Sequence, residues 1–153
     1  MQIVISAIGK LKKNTPEDLL IQDYLKKTKW SVTVKESEEK KSLSGDQLKE
    51  AESLLLLSSI PQGGKIIALD ERGKTPSSRE FANLLGKWID EGVPSISFLI
   101  GGANGHAEIL RQKADYKLSF GRMTLPHMLA RVVLAEQIYR AKTILDGHPY
   151  HKD

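Results

Sequence analysis

Leu118-Ser119-Phe120-Gly121-Arg122-Met123-Thr124-Leu125-Pro126-His127 is the stretch around which the rest of the chain is organised. An apolar run from Tyr116 to Phe120 reads as a strand. It meets Gly121, where the backbone is free to turn or to approach a ligand closely. Pro126 pre-sets the first turn of a helix, with Thr124 near enough in sequence to accept from its free amide groups. From Met128 to Ala135 that helix is apolar except for Arg131, so it has no single dry face. It is expected to be buried on more than one side, against its own sheet and against another copy of the chain. His127, Arg131, Tyr139 and Arg140 crowd onto it, which favours a functional interface over a plain core helix.

Working back towards the N-terminus, Ser95 to Ile100 and Lys65 to Leu69 are continuous apolar runs of the kind buried on both faces of a parallel sheet. The first leads at once into Gly101-Gly102-Ala103-Asn104-Gly105 and a short helix from about His106 to Lys113. The second leads into a turn, Asp70-Glu71-Arg72-Gly73-Lys74. Ser77 or Ser78 caps a helix carrying Phe81, Leu84, Leu85, Trp88 and Ile89, ended by Gly92 and Pro94. Earlier still, Gln2 to Ile8 is a β-branched first strand, followed by the lysines at 10, 12 and 13. Thr15-Pro16-Glu17-Asp18 opens a helix to about Lys27, with Leu19, Leu20, Tyr24 and Leu25 expected inward. Trp30 to Val34 alternates as a second strand, and the charged stretch Glu36 to Ser44 is expected to be a mobile loop. Ser44 to Ser58 forms a further helix, with Ser44 as its cap and Leu48, Ala51, Leu54 and Leu55 facing in. Strands alternating with helices predict an α/β layer sandwich with a mostly parallel sheet.

At 153 residues the chain suits a single domain spanning 1–153. Its formal charge of +4 is a mild bias towards polyanionic partners. There is no cysteine, which excludes disulfides and thiolate metal sites. His127, His148 and His151 lack the spacing and the acidic partner of a metal site, so no metal is expected. The N-terminus does not read as a secretory signal and no apolar run is long enough for a membrane span, so a soluble cytoplasmic protein is expected.

Three strand ends carry glycine or turn chemistry: Leu69 into Asp70, Ile100 into Gly101-Gly102, and Phe120 into Gly121. In open α/β sheets ligands bind beyond the carboxyl ends of strands. If these strands are neighbours, their bare backbone converges on one crevice suited to an adenine edge and a ribose. The glycine run fits neither a Walker loop nor a dinucleotide fingerprint. His127 and Arg131 share a helix face, and the ending His148-Pro149-Tyr150-His151 suits stacking on a nucleobase. Lysines at 10–13, 26–29 and 40–41 are candidates for a phosphate track.

These segments together, with Glu136-Gln137, Tyr139-Arg140-Ala141 and the opening Ala7-Ile8-Gly9-Lys10-Leu11-Lys12, closely resemble the ribosomal large-subunit pseudouridine methyltransferase H family, small members of the SPOUT class. The resemblance spans essentially the whole chain. It implies methyl transfer from S-adenosylmethionine to ring nitrogen 3 of a pseudouridine in large-subunit ribosomal RNA, within the assembled ribosome. It also implies a homodimer and an α/β knot, with a C-terminal trefoil knot that no residue pattern here reveals. Carried over by position, the cofactor contacts are Leu69, Gly101, Gly102, Phe120, Gly121, Arg122, Met123, Thr124 and Leu125. Arg140 or Arg131 is a candidate to stabilise the developing anion, His127, His151 or Glu136 to accept the imide proton, and Tyr150 and His151 to touch the target nucleotide. The competing readings are a non-catalytic RNA-binding or ribosome-assembly protein on the same fold, and a transfer-RNA target. Intact glycines at 101, 102 and 121 argue against the first, and the Pro149-Tyr150-His151 ending against the second.

Overall fold

The computed structural model describes every residue from Met1 to Asp153. Its elements run β1 (Gln2–Ile8), α1 (Pro16–Lys27), β2 (Ser31–Ser37), α2 (Gly45–Ser58), β3 (Lys65–Lys74), α3 (Ser78–Asp90), β4 (Ser95–Ile100), α4 (Glu108–Lys113), β5 (Tyr116–Leu118) and α5 (His127–Leu145). The strands form one five-stranded sheet in the order β2-β1-β4-β3-β5. Every pairing is parallel. Ala7 lies opposite Ile100, Ala68 opposite Leu99 and Leu69 opposite Leu118. The carboxyl ends of all the strands therefore reach one edge. No helix is long and apolar enough to cross a membrane.

The two faces of the sheet carry separate cores. On one, Ile3, Ile5, Ile67, Phe98 and Leu118 meet Phe81, Leu85 and Trp88 of α3 and Leu134 and Ile138 of α5. On the other, Ile8, Ala68 and Leu99 meet Leu56 of α2 and Leu110 of α4. A third cluster joins Ile21 of α1 to Val132 and Ala135. α5 is thus buried on two sides by its own chain, with Leu129 left exposed.

Several sequence expectations shift. In α1 the buried residue is Ile21, while Leu19 and Leu20 are exposed; in α2 Leu56 is buried and Leu54 is exposed. α1 packs on α5 through Ile21 and α2 packs on the sheet through Leu56, each on a different part of the helix than the leucine spacing suggested. Asp70-Lys74 belongs to β3, but Leu69 and Lys74 both face Leu118, so the residues between them bulge outwards. Gly73 is needed there because a Cβ would lie 2.6 Å from the Lys117 carbonyl. β2 extends to Ser37, into the stretch expected to be a loop. β5 stops at Leu118, where the Ser119 hydroxyl takes over the backbone of Gly121. α4 begins at Glu108, since Ala107 has extended backbone (ψ 158°) and stands as its cap, with its amide donating to Ser53. Ser77, not Ser78, caps α3, in a reciprocal capping box with Glu80. Neither Ser44 nor Thr124 caps with its side chain, and Pro126 itself occupies the cap position of α5.

Candidate active site

The sheet edge opens into a crevice with a volume of about 480 Å³, within the range of small-molecule sites. Its walls are the ends of β3, β4 and β5 and the start of α5. Leu69, Gly101, Gly102 and every residue from Phe120 to Leu125 line it, so the nine positions singled out for a cofactor face one space. His127 and Ala130 close the helix side. A smaller cavity of about 250 Å³ shares the wall from Leu118 to Gly121 and carries hydroxyls from Thr75, Ser77 and Ser78.

The Phe120–Leu125 wall is set by Ser119, which is buried and which the sequence reading passed over. Its hydroxyl donates to the Gly121 carbonyl at 3.0 Å and accepts from the Gly121 amide at 3.1 Å. Gly121 has φ +121°, a conformation closed to most side chains. A hydroxyl residue two positions before a glycine was the available signal.

The glycine turn after β4 rests on side chains that were also missed. A Cβ on Gly101 would come within 3.1 Å of the His106 ring, and one on Gly102 within 2.8 Å of Glu52 Oε1. Both supports are buried, and Glu52 Oε1 and His106 Nδ1 have no hydrogen-bond partner. Burial, with a smaller effect of Glu39, raises the Glu52 carboxyl above its ordinary value. Burial also dominates at His106 and lowers its pKa, while His106 Nε2 lies 3.1 Å from the Leu99 carbonyl. Alongside, Arg111 Nε donates to Asp70 at 2.5 Å. Burial pushes the Asp70 carboxyl up, but the Arg72 amide and Arg111 outweigh it and hold it low.

The six candidates for catalysis, Glu136 among them, fall into separate places. His127 lines the crevice with Nε2 buried and unpartnered, and burial followed by the Arg131 charge keeps its pKa low. Arg131 is 4% exposed and is committed to structure: its guanidinium donates to the carbonyls of Ile8 (3.2 Å) and Gly9 (2.9 Å) and to Glu36. Arg140, Tyr150 and His151 form another cluster around Glu136. Glu136 Oε1 accepts from Arg140 Nε at 2.9 Å and from the Tyr150 hydroxyl at 3.0 Å, while Arg140 Nη1 lies 3.1 Å from His151 Nδ1. The Arg140 guanidinium stacks 4.7 Å from the Tyr150 ring centre. Burial first, then the Glu136 bond, pushes the Tyr150 phenol up to about 12. Between His127 and Arg140 the helix advances about 20 Å at its usual rise, so within one chain this cluster stands away from the crevice. No group of side chains is arranged to hold a metal ion.

The family model described as predicted SPOUT methyltransferase matches residues 1–151. The chain belongs to the SPOUT methyltransferase family. It is 49% identical to the ribosomal RNA large subunit methyltransferase H of Paramagnetospirillum magneticum over 99% of each chain. It is 47% identical to the protein of that name from Rhodospirillum centenum, again over 99% of each. Among solved structures, a probable methylase family protein from Haemophilus influenzae Rd KW20 shares the fold, with a TM-score of 0.53 at 11% identity, covering 99% of this chain and 70% of that one. The convergence of bare backbone on one crevice is therefore found in a chain whose family transfers methyl groups.

Proposed function

We propose that this chain transfers a methyl group from S-adenosylmethionine to ring nitrogen 3 of a pseudouridine in large-subunit ribosomal RNA, as a single-domain cytoplasmic homodimer acting on the assembled ribosome. The observation that carries the reading is the glycine-walled crevice at the ends of β3, β4 and β5, in a chain nearly half identical over its length to proteins named for ribosomal RNA methylation.

The crevice fits the cofactor. Gly101 and Gly102 on one wall and Gly121 on the other present main-chain donors and acceptors to a flat ring lying between them. Leu69, Phe120 and Leu125 supply apolar contact, with Arg122, Met123 and Thr124 at the rim. When bound, S-adenosylmethionine supplies a methyl group on an electrophilic sulfonium. The protein's contribution is to hold both reactants in line and to manage the imide proton on nitrogen 3. Of the candidate bases His127, His151 and Glu136, His127, kept neutral by burial and by Arg131, is the one that lines the crevice and is assigned that proton. Arg140 is the cation suited to the charge that develops on the pyrimidine ring. Tyr150 keeps its proton and so acts as a donor, beside His151, against the target nucleotide. Arg131 acts through position, fixing the β1 loop next to α5.

The roughly 20 Å between His127 and Arg140 along α5 supports a site completed by a second copy, whose Arg140, Tyr150 and His151 would cover the crevice of the first. Exposed Leu19, Leu20, Met123 and Leu129, on α1, the crevice rim and α5, supply apolar surface for that contact. The trefoil knot belongs to the same reading, supported by family membership and by the 119–125 segment, which lines the crevice together with the ends of β3 and β4.

The product tests the proposal. Ribosomes lacking the modification are incubated with the protein and labelled S-adenosylmethionine, transfer RNA is included, and the labelled nucleoside is identified. Label in 3-methylpseudouridine from the large subunit is the expected result. Label in transfer RNA, or in another nucleoside, contradicts the target. Ribosome binding without label moves the assignment to a non-catalytic assembly protein.

A further inference from the structure

The parallel sheet sorts the lysines that the sequence left as one group. β1 ends at the crevice edge, so Lys10, Lys12 and Lys13 lie there, beside the end of β4. α1 then returns to the other edge, where Ser31 pairs with Gln2, and takes Lys26, Lys27 and Lys29 with it. Lys40 and Lys41 follow β2 back on the crevice side, but Glu38 and Glu39 precede them and Glu39 accepts from the Lys41 amide. Only the first group lies on the crevice edge of the sheet without acids directly before it, beside the crevice and outside its lining.

That loop is held far more firmly than a solvated surface turn requires. The Gly9 amide donates to Ser37 at 2.8 Å, and the Leu11 amide to Glu36 Oε2 at 2.8 Å. Arg131 binds the carbonyls of Ile8 and Gly9, Thr15 donates to the Lys12 carbonyl at 2.9 Å, and the Asn14 amide donates to Asp18. Leu11 packs against Ile21, Val132 and Ala135. Its neighbours Lys10, Lys12 and Lys13 are left exposed, and none has a carboxylate within ion-pair distance. Of the acids around the loop, Glu36 is held by Arg131 and Leu11 and Asp18 by Asn14 and Gln22, while Glu17, four residues from Lys13, makes no ion pair with the lysines. In the Arg131–Glu36 pair the guanidinium is buried and the carboxylate partly exposed, and its use here is to fix geometry. It does so one residue from Ala130, in the crevice wall. Arg122, also exposed, stands on the opposite rim.

We propose that the Gly9–Asn14 loop is a preformed grip for the phosphodiester backbone of the RNA substrate, positioning the strand whose base enters the crevice. This rests on the RNA-modifying function proposed above. Phosphate contacts set register without reading sequence, and each one formed releases counterions from the RNA, so its loss is visible as a weaker salt dependence.

The test compares two triple variants of the full-length protein, Lys10→Gln/Lys12→Gln/Lys13→Gln and, from the opposite edge, Lys26→Gln/Lys27→Gln/Lys29→Gln. All six lysines are exposed, and both variants should bind S-adenosylmethionine as the parent does. Ribosome binding and the KM for ribosomes are measured over a series of salt concentrations. The first variant is expected to raise KM roughly tenfold or more at low salt, with a log–log salt slope shallower by about two. The second is expected to match the parent. An unchanged KM and slope in the first variant overturns the inference, as does an equal loss in both, which would reflect general charge. Absence of methyl transfer by the parent overturns the function itself and is recognised separately.

Discussion

Glu52 is a buried carboxyl pressed against the Cα of Gly102, and nothing in its sequence position on α2 announced this. Because burial raises its pKa, the native state keeps a proton that the unfolded chain releases in the ordinary carboxylate range. Stability from this group is therefore fully present at low pH and lost as pH rises through the folded pKa. Glu52→Gln cannot lose that proton. Thermal melts across pH should diverge, with the variant gaining on the parent as pH rises above the carboxylate range and the two converging in acid; parallel curves would contradict the assignment. Gly102→Ala brings a Cβ to 2.8 Å from Glu52 Oε1 and should cost about 1–3 kcal/mol by overpacking. A Glu52→Ala background should relieve part of that cost, which a double-mutant cycle reads directly. The glycines of this turn were legible as bare backbone. The residues beneath them were not, because they come from α2 and His106 and meet only once the sheet is assembled.

Among the elements, type and order were readable where apolar period and punctuation agreed. The doubly apolar runs at Lys65 and Ser95 became inner strands, and Thr15-Pro16 opened α1. The boundary errors have a common cause, in long-range partners that override local signals. β2 runs to Ser37 because it stays paired with β1 as far as Ile8, while the Glu36 side chain finds Arg131 and the Leu11 amide, a contact joining residues far apart in the chain. Composition alone made that stretch look like loop. Glu36→Ala would leave the Arg131 guanidinium buried without its carboxylate. It should destabilise the fold by about 3 kcal/mol, measured by denaturant unfolding, and loosen the Gly9–Asn14 loop in hydrogen exchange. A change below 0.5 kcal/mol, which is the range of ordinary surface substitutions, would mean that the pair does not hold these elements together.

For the whole molecule, the crevice was legible and the position of the residues proposed for catalysis was not. Glycines at strand ends point to one edge of a parallel sheet. A helix written as letters does not convey that His127 and Arg140 stand about 20 Å apart. That separation makes a sharp prediction about assembly. Gly121→Val fills the crevice wall at a positive φ, and Tyr150→Ala removes the tail ring, so each variant alone should be inactive. Co-expressed, they should form mixed dimers with one competent site each and recover about a quarter of parental activity by random pairing. No recovery in mixed dimers verified by mass would mean that each chain builds its site alone.

The most direct measurement is methyl transfer from labelled S-adenosylmethionine to two ribosome preparations that differ only at the target nucleoside, pseudouridine in one and uridine in the other. Label on the pseudouridine ribosomes alone is the result this account predicts. Equal labelling of both, or labelling of neither, would contradict it.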